Sequence, residues 1–199
     1  MKFKLIYYGE LLINPKRRTN HLHEVRSILS SQLKRLTELS PYSEIREKLM
    51  SRGKGVREVG GVKFFPIITP ELDLLAEIDV QIMHPEILET PHADIDNRMK
   101  TLLDALKRPQ SANEVAEATV EATRGKKEHI IYTLLDDDHL VTKLTINTSH
   151  LLAEPCGGLL KTGRVKKGKS GAFDHRLLLI ISVKIRASKG TIDNLCVII

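Results

Sequence analysis

Apolar and polar positions alternate along this chain in a way that predicts short strands and amphipathic helices in mixed order. Lys2–Tyr8 has strand character. Over about 20–39, Leu22, Val25, Ile28/Leu29, Leu33 and Leu36 recur at helical spacing, and Pro41 stops the helix they predict. Residues 51–61 carry Gly53, Gly55, Gly60 and Gly61 among charges and read as a loop. Val62–Thr69 and Leu74–Met83 read as strands, the second ended by Pro85. In the next helix, 97–107, Met99, Leu102, Leu103 and Leu106 fall at i, i+3, i+4 and i+7 and form one apolar stripe, with Lys100 and Asp104 on the polar side. Arg108-Pro109 closes it. Ser111-Ala112-Asn113-Glu114 has capping-box spacing for a short helix through Ala122. Ile130–Leu135 and His139–Thr148 are predicted strands. Leu177–Arg186 is apolar nearly throughout at its start, as in a central strand buried on both faces. The order predicts an α+β fold, a single mixed β-sheet with helices packed on it.

Composition adds limits. A chain of 199 residues can bury a sizeable core and is expected to form one domain, 1–199. Aromatic content is 4% with no Trp, so packing must rest on Leu, Ile and Val. The net charge of +6 favours a polyanionic partner. Its distribution says more: Lys161, Arg164, Lys166, Lys167 and Lys169 form a run without an acidic residue, among Gly163, Gly168 and Gly171. Such a loop can follow a phosphate backbone, each neutralised phosphate releasing counterions, which makes these five residues candidate DNA contacts; a merely solvated loop has the same pattern. Lys16-Arg17-Arg18 and Arg124-Gly125-Lys126-Lys127 could extend the surface. No aromatics interleave with these runs, which argues against base stacking on single strands. Cys156 and Cys196 stand forty positions apart and suit free thiols in a reducing cytosol. The N-terminus lacks a signal-peptide core and no segment approaches a bilayer-spanning run, so a cytoplasmic location without membrane contact is expected.

The candidate chemistry lies in two acidic clusters. Asp94 and Asp96 are two apart, so in an extended segment their carboxylates share one side. Asp96 is positioned as an N-cap, with Lys100 one turn further on. Two carboxylates and an ammonium where a strand becomes a helix suit a divalent cation and a phosphate. Asp136-Asp137-Asp138 precedes the strand that begins at His139. Three adjacent carboxylates repel one another, and a bound cation would remove that repulsion. Each cluster alone is a weak signal, since DxD recurs in surface loops and DDD in solvated turns. Together they are stronger. His92 and His139 flank the clusters, and a surface histidine is the plainer reading of both.

Asp94-x-Asp96-Asn97-x-x-Lys100, the Leu103-Asp104-Ala105-Leu106 helix and a later Asp-Asp-x-x-aliphatic pattern opening a strand resemble the RusA-type Holliday-junction resolvases, from about Leu75 to Ile146. The resemblance implies that Asp94, Asp96 and the second Asp of the later pair hold Mg²⁺, with Mn²⁺ able to substitute, and that Lys100 is needed for cleavage. Pairing Asp137-Asp138 with Val141 makes Asp138 the third ligand and also aligns Leu144. Pairing Asp136-Asp137 with Leu140 makes it Asp137 instead. Segments near 41–60, 108–128 and 151–176 then read as insertions. The implied activity is a Mg²⁺-dependent, structure-specific endodeoxyribonuclease that resolves Holliday junctions or other branched double-stranded DNA in recombination and repair. The implied assembly is a homodimer, matching the two-fold symmetry of a four-way junction. Asp94, Asp96 and Asp138 are therefore expected to converge to shared-ion distance. Two rivals stand beside this. A DNA-binding relative that does not cut is favoured if the carboxylates lie apart or one is masked by a salt bridge. A DxD-dependent nucleotide-sugar transferase would want a nucleotide-binding α/β domain before the motif, and no Gly-rich phosphate loop precedes Asp94.

Overall fold

The computed structural model describes residues 1–11, 18–84, 95–123, 129–150 and 177–188. Eleven helices and strands follow one another there: β1 (Lys2–Gly9), α1 (Arg18–Leu36), α2 (Tyr42–Ser51), β2 (Arg57–Val59), β3 (Val62–Ile68), β4 (Leu74–His84), α3 (Ile95–Leu106), α4 (Glu117–Thr123), β5 (Ile130–Leu135), β6 (Val141–His150) and β7 (Leu177–Ala187). The fold is α+β, as expected, but the strands form two sheets rather than one. The larger has the order β1-β7-β4-β6, with β7 antiparallel to both neighbours and β6 parallel to β4. The smaller has the order β2-β3-β5, with β3 parallel to β5. The split occurs between β3 and β4. The 3₁₀ turn Pro70–Leu72 and Asp73, in the left-handed region at φ 51°, carry the chain out of one sheet into the other.

The larger sheet buries one face. Leu5, Tyr7, Ile78, Val80, Ile82, Leu179, Ile181 and Val183 point into the core. Their neighbours alternate outward, as the two-residue strand period requires. β7 is central but not buried on both faces, because every second residue up to Lys184 is only half-buried. Its continuous apolar start hides that alternation in the sequence. The other side of the core is α1, whose Leu22, Val25, Leu29 and Leu33 face β1, β5 and α3. The segment near 41–60, read as an insertion, contains α2, which buries Tyr42, Ile45 and Leu49 at i, i+3 and i+7. Tyr42 also donates its hydroxyl to the Lys2 carbonyl at 3.2 Å and meets Phe3 edge-on.

Two local features carry tests. The β2–β3 hairpin turns on Gly60 and Gly61, both at positive φ (57° and 77°), the two-residue geometry that matches strand twist. A Cβ on Gly61 would meet nothing within 4 Å, so Gly61→Ala should cost about 1–2 kcal/mol through backbone strain alone, readable as a lower urea midpoint. Glu71 pairs with Arg57. Burial pushes the Glu71 carboxyl up, but backbone hydrogen bonding and the Arg57 guanidinium outweigh it and hold the group below its ordinary 4.5. A depressed carboxylate adds stability above its unfolded pKa and loses it as pH falls through the folded value. Glu71→Gln should therefore lower stability near pH 7 by about 0.5–1 kcal/mol and match the wild type near pH 3. Urea midpoints at both pH values check this.

Candidate active site

Helix α3 carries the first half of the candidate site. Met99, Leu102, Ala105 and Leu106 are buried on one side, while Asp96 and Lys100 are exposed one turn apart on another. Asp96 lies inside the first turn instead of capping it, because the helix already begins at Ile95. Eleven residues are close to three helical turns, so Asp96, Lys100, Asp104 and Lys107 run along one side.

The second cluster sits at the other end of α3. Main-chain bonds anchor the chain there: Arg108 N–H donates to the Leu135 carbonyl at 2.9 Å and Asp136 N–H to the Ile68 carbonyl at 2.9 Å. The three aspartates are compensated one by one. Arg108 Nε donates to Asp136 Oδ1 at 2.7 Å. Asp137 opens the 3₁₀ turn Asp138–Leu140, accepting from His139 N–H at 3.4 Å. Lys107 Nζ lies 3.0 Å from Asp138 Oδ2 and 3.3 Å from Asp104 Oδ1. The electrostatics follow. A hydrogen bond shared with the Asp138 side chain, opposed by burial and helped by the backbone N–H groups of His139 and Asp138, holds the Asp137 carboxyl below the usual range. Burial pulls Lys107 down, yet Asp138 and Asp104 together raise it above its ordinary value. The repulsion that pointed to a bound cation is relieved by Lys107, Arg108 and backbone N–H groups.

The structure does not bring Asp96 and Asp138 together. Asp104 follows Asp96 by eight residues, about 12 Å of helix rise. Lys107 bridges Asp104 to Asp138 at the far end. One Mg²⁺ needs its oxygens at about 2.1 Å. Asp96, exposed and acceptor-only, fits such an ion; Asp138 does not fit the same one. Asp96 stands at the start of α3, whereas Lys107, directly after the helix, takes Asp138 at the other end. Among the described residues no three His, Cys, Asp or Glu side chains gather to hold a metal. Asp94 and His92 lie outside the described residues, as do Lys16 and Arg17, residues 124–128, Cys156, Cys196, and the basic run Lys161, Arg164, Lys166, Lys167 and Lys169.

Lys107 and Arg108 escaped sequence reading as site residues, although two bases directly after a helix complement a later run of three acids. Arg26 escaped as well. It is 4% exposed, and its Nη2 donates to the Asp104 carbonyl at 2.8 Å, fastening α1 to the last turn of α3. No helix among the described residues is long and apolar enough to cross a membrane. In comparisons with known proteins, the chain matches no family model, no curated protein and no solved structure.

Proposed function

We propose that this protein is a Mg²⁺-dependent endodeoxyribonuclease acting on branched double-stranded DNA, in the manner of the RusA-type resolvases it resembles, and works as a homodimer in recombination and repair. One observation carries the reading. Asp96 and Lys100 stand exposed, one turn apart, at the start of α3, directly after the segment that holds Asp94. Mg²⁺ is commonly bound by one or two carboxylates, with water and substrate phosphate filling the remaining positions. Asp94 and Asp96 would hold it. When bound, the ion supplies Lewis-acid polarisation of the phosphate and an acidified water. Lys100 neutralises charge developing on the phosphate oxygens, and the N–H groups opening α3 favour the same anion. Asp138 departs from the family pattern here by pairing with Lys107, so its role in this reading is to fasten the 3₁₀ turn to the end of α3.

The same ion pair favours a second reading, a DNA-binding relative that does not cut. Incubation with a synthetic four-way junction, with Mg²⁺, with Mn²⁺ and without metal, separates the two. Metal-dependent paired nicks near the branch support the nuclease. Binding without cleavage under every metal condition supports the second reading, and absence of binding overturns both.

A further inference from the structure

A second cleft, away from the acidic residues of α3, has the chemistry of an anion site. It lies between α1, α2 and the smaller sheet and encloses about 830 Å³, within the range of ligand-binding pockets. One wall is a stripe of α1: Ser27, Ser30, Ser31 and Lys34 fall at i, i+3, i+4 and i+7, opposite the apolar stripe that enters the core. Arg46 projects from α2, Lys63 from β3, and His129 stands just before β5. The floor is apolar, formed by Met50, Val56, Ile130 and Ile131, with Met50 47% exposed. Among the described residues no Asp or Glu lines it. Lys34 and Arg46 are exposed and pair with no carboxylate among the described residues. Ser30 already fixes the wall by accepting from Tyr132 N–H at 2.8 Å, where β5 has no neighbouring strand on that side among the described residues.

We propose that this cleft binds the phosphodiester backbone of one nucleic-acid strand, an inference that rests on the DNA substrate of the reading above but not on its chemistry. Lys34 of α1 and Arg46 of α2 match phosphate oxygens from two walls, and the apolar part of the lining matches the sugar and base edges between them. The Ser27-to-Lys34 stripe is about 10 Å long, enough for more than one phosphate.

The test neutralises the rim without touching the floor, in the double variant Lys34→Gln, Arg46→Gln. Both side chains are exposed, so the thermal midpoint should stay within a degree or two, checked first. Binding of a fluorescent four-way junction, and of a fluorescent single strand, is then measured in chelator across a salt series. The expected result is about tenfold weaker binding of the single strand at moderate salt, with its log–log salt slope reduced by about 1.4, two contacts at about 0.7 each. Cleavage at saturating junction should be unchanged. Unchanged affinity and slope would overturn the inference. So would thermal stabilisation by inorganic phosphate or a mononucleotide that the double variant loses while strand binding persists, since the cleft would then take a small phosphorylated ligand. Weaker binding in the variant of a wild type that never cleaves would sink the nuclease reading alone. A cleaving wild type whose variant binds equally well would sink this inference alone.

Discussion

Asp96→Asn should abolish junction cleavage, by about 10²–10³-fold or more, while leaving junction binding and the fold in place. In the proposed reading Asp96 would hold the Mg²⁺, so its loss weakens the ion that would stabilise the reacting phosphate, an effect of the size of losing one preorganised electrostatic contact. Asp96 is exposed in the first turn of α3, so the structural cost is limited to its favourable interaction with the helix N-terminus, about 0.3–1 kcal/mol. Lys100→Ala should lose cleavage alongside it with binding intact. Asp138→Asn should behave differently. Its side chain is 52% exposed and its visible partner is Lys107, so the variant should lose at most about 1 kcal/mol of stability and keep most of its activity. Single-turnover cleavage of a labelled junction by the three variants decides the matter. If Asp138→Asn falls as far as Asp96→Asn, the Lys107 pair must open on the substrate or serve a second copy of the chain, and the assignment of Asp138 to a purely structural role is wrong.

What was legible in the sequence was local. Helix α3 is legible to within two residues because Met99, Leu102 and Leu106 repeat over three turns; β5 and β7 are legible as apolar runs between charged residues, and β4 by the alternation of Glu77, Asp79 and Gln81 with Ala76, Ile78, Val80 and Ile82. Helix α2 is less legible although Tyr42, Ile45 and Leu49 carry its signal, because that one short stripe lies between Pro41 and the glycines at 53 and 55. The start of β6 was set two residues early, since the Asp137 side chain bonds the His139 N–H and turns the chain first. The division into two sheets was not legible. Nothing within β3 says that it will pair with β5 rather than β4, a choice made by contacts across more than sixty residues. The acidic triplet fails for the same reason. Read locally, Asp136, Asp137 and Asp138 need a cation; in the fold, Lys107 and Arg108 reach them from about thirty residues away.

Arg26→Ala should be among the most destabilising single changes in the chain, at about 3 kcal/mol. The Arg26 guanidinium is buried between α1 and α3, and its bond to the Asp104 carbonyl satisfies an acceptor in the last turn of α3 that has no partner within the helix. A hydrogen bond with a charged donor contributes about 1.5–3 kcal/mol, and truncation also removes the packed aliphatic stem. The charge itself is a cost. Burial pushes the group from 12.5 down to about 10, against the favourable pull of Glu114 and Asp104, and Nε has no hydrogen-bond partner among the described residues. Arg26→Met keeps the stem and discards that cost, so it should lose only about half as much as the alanine variant. The pH dependence has a definite sign. Since the folded pKa lies below the unfolded one, the unfolded chain holds more protons between them, and the wild type should gain on Arg26→Met as pH rises from about 8 to about 11. Guanidinium midpoints of the three proteins at both pH values test this. A methionine variant more stable than the wild type at every pH would mean that desolvation outweighs the bond. An alanine variant as stable as the wild type would mean that the apolar stripe of α3 alone holds it against α1, leaving Arg26 no part in positioning Asp104 and, through Lys107, Asp138.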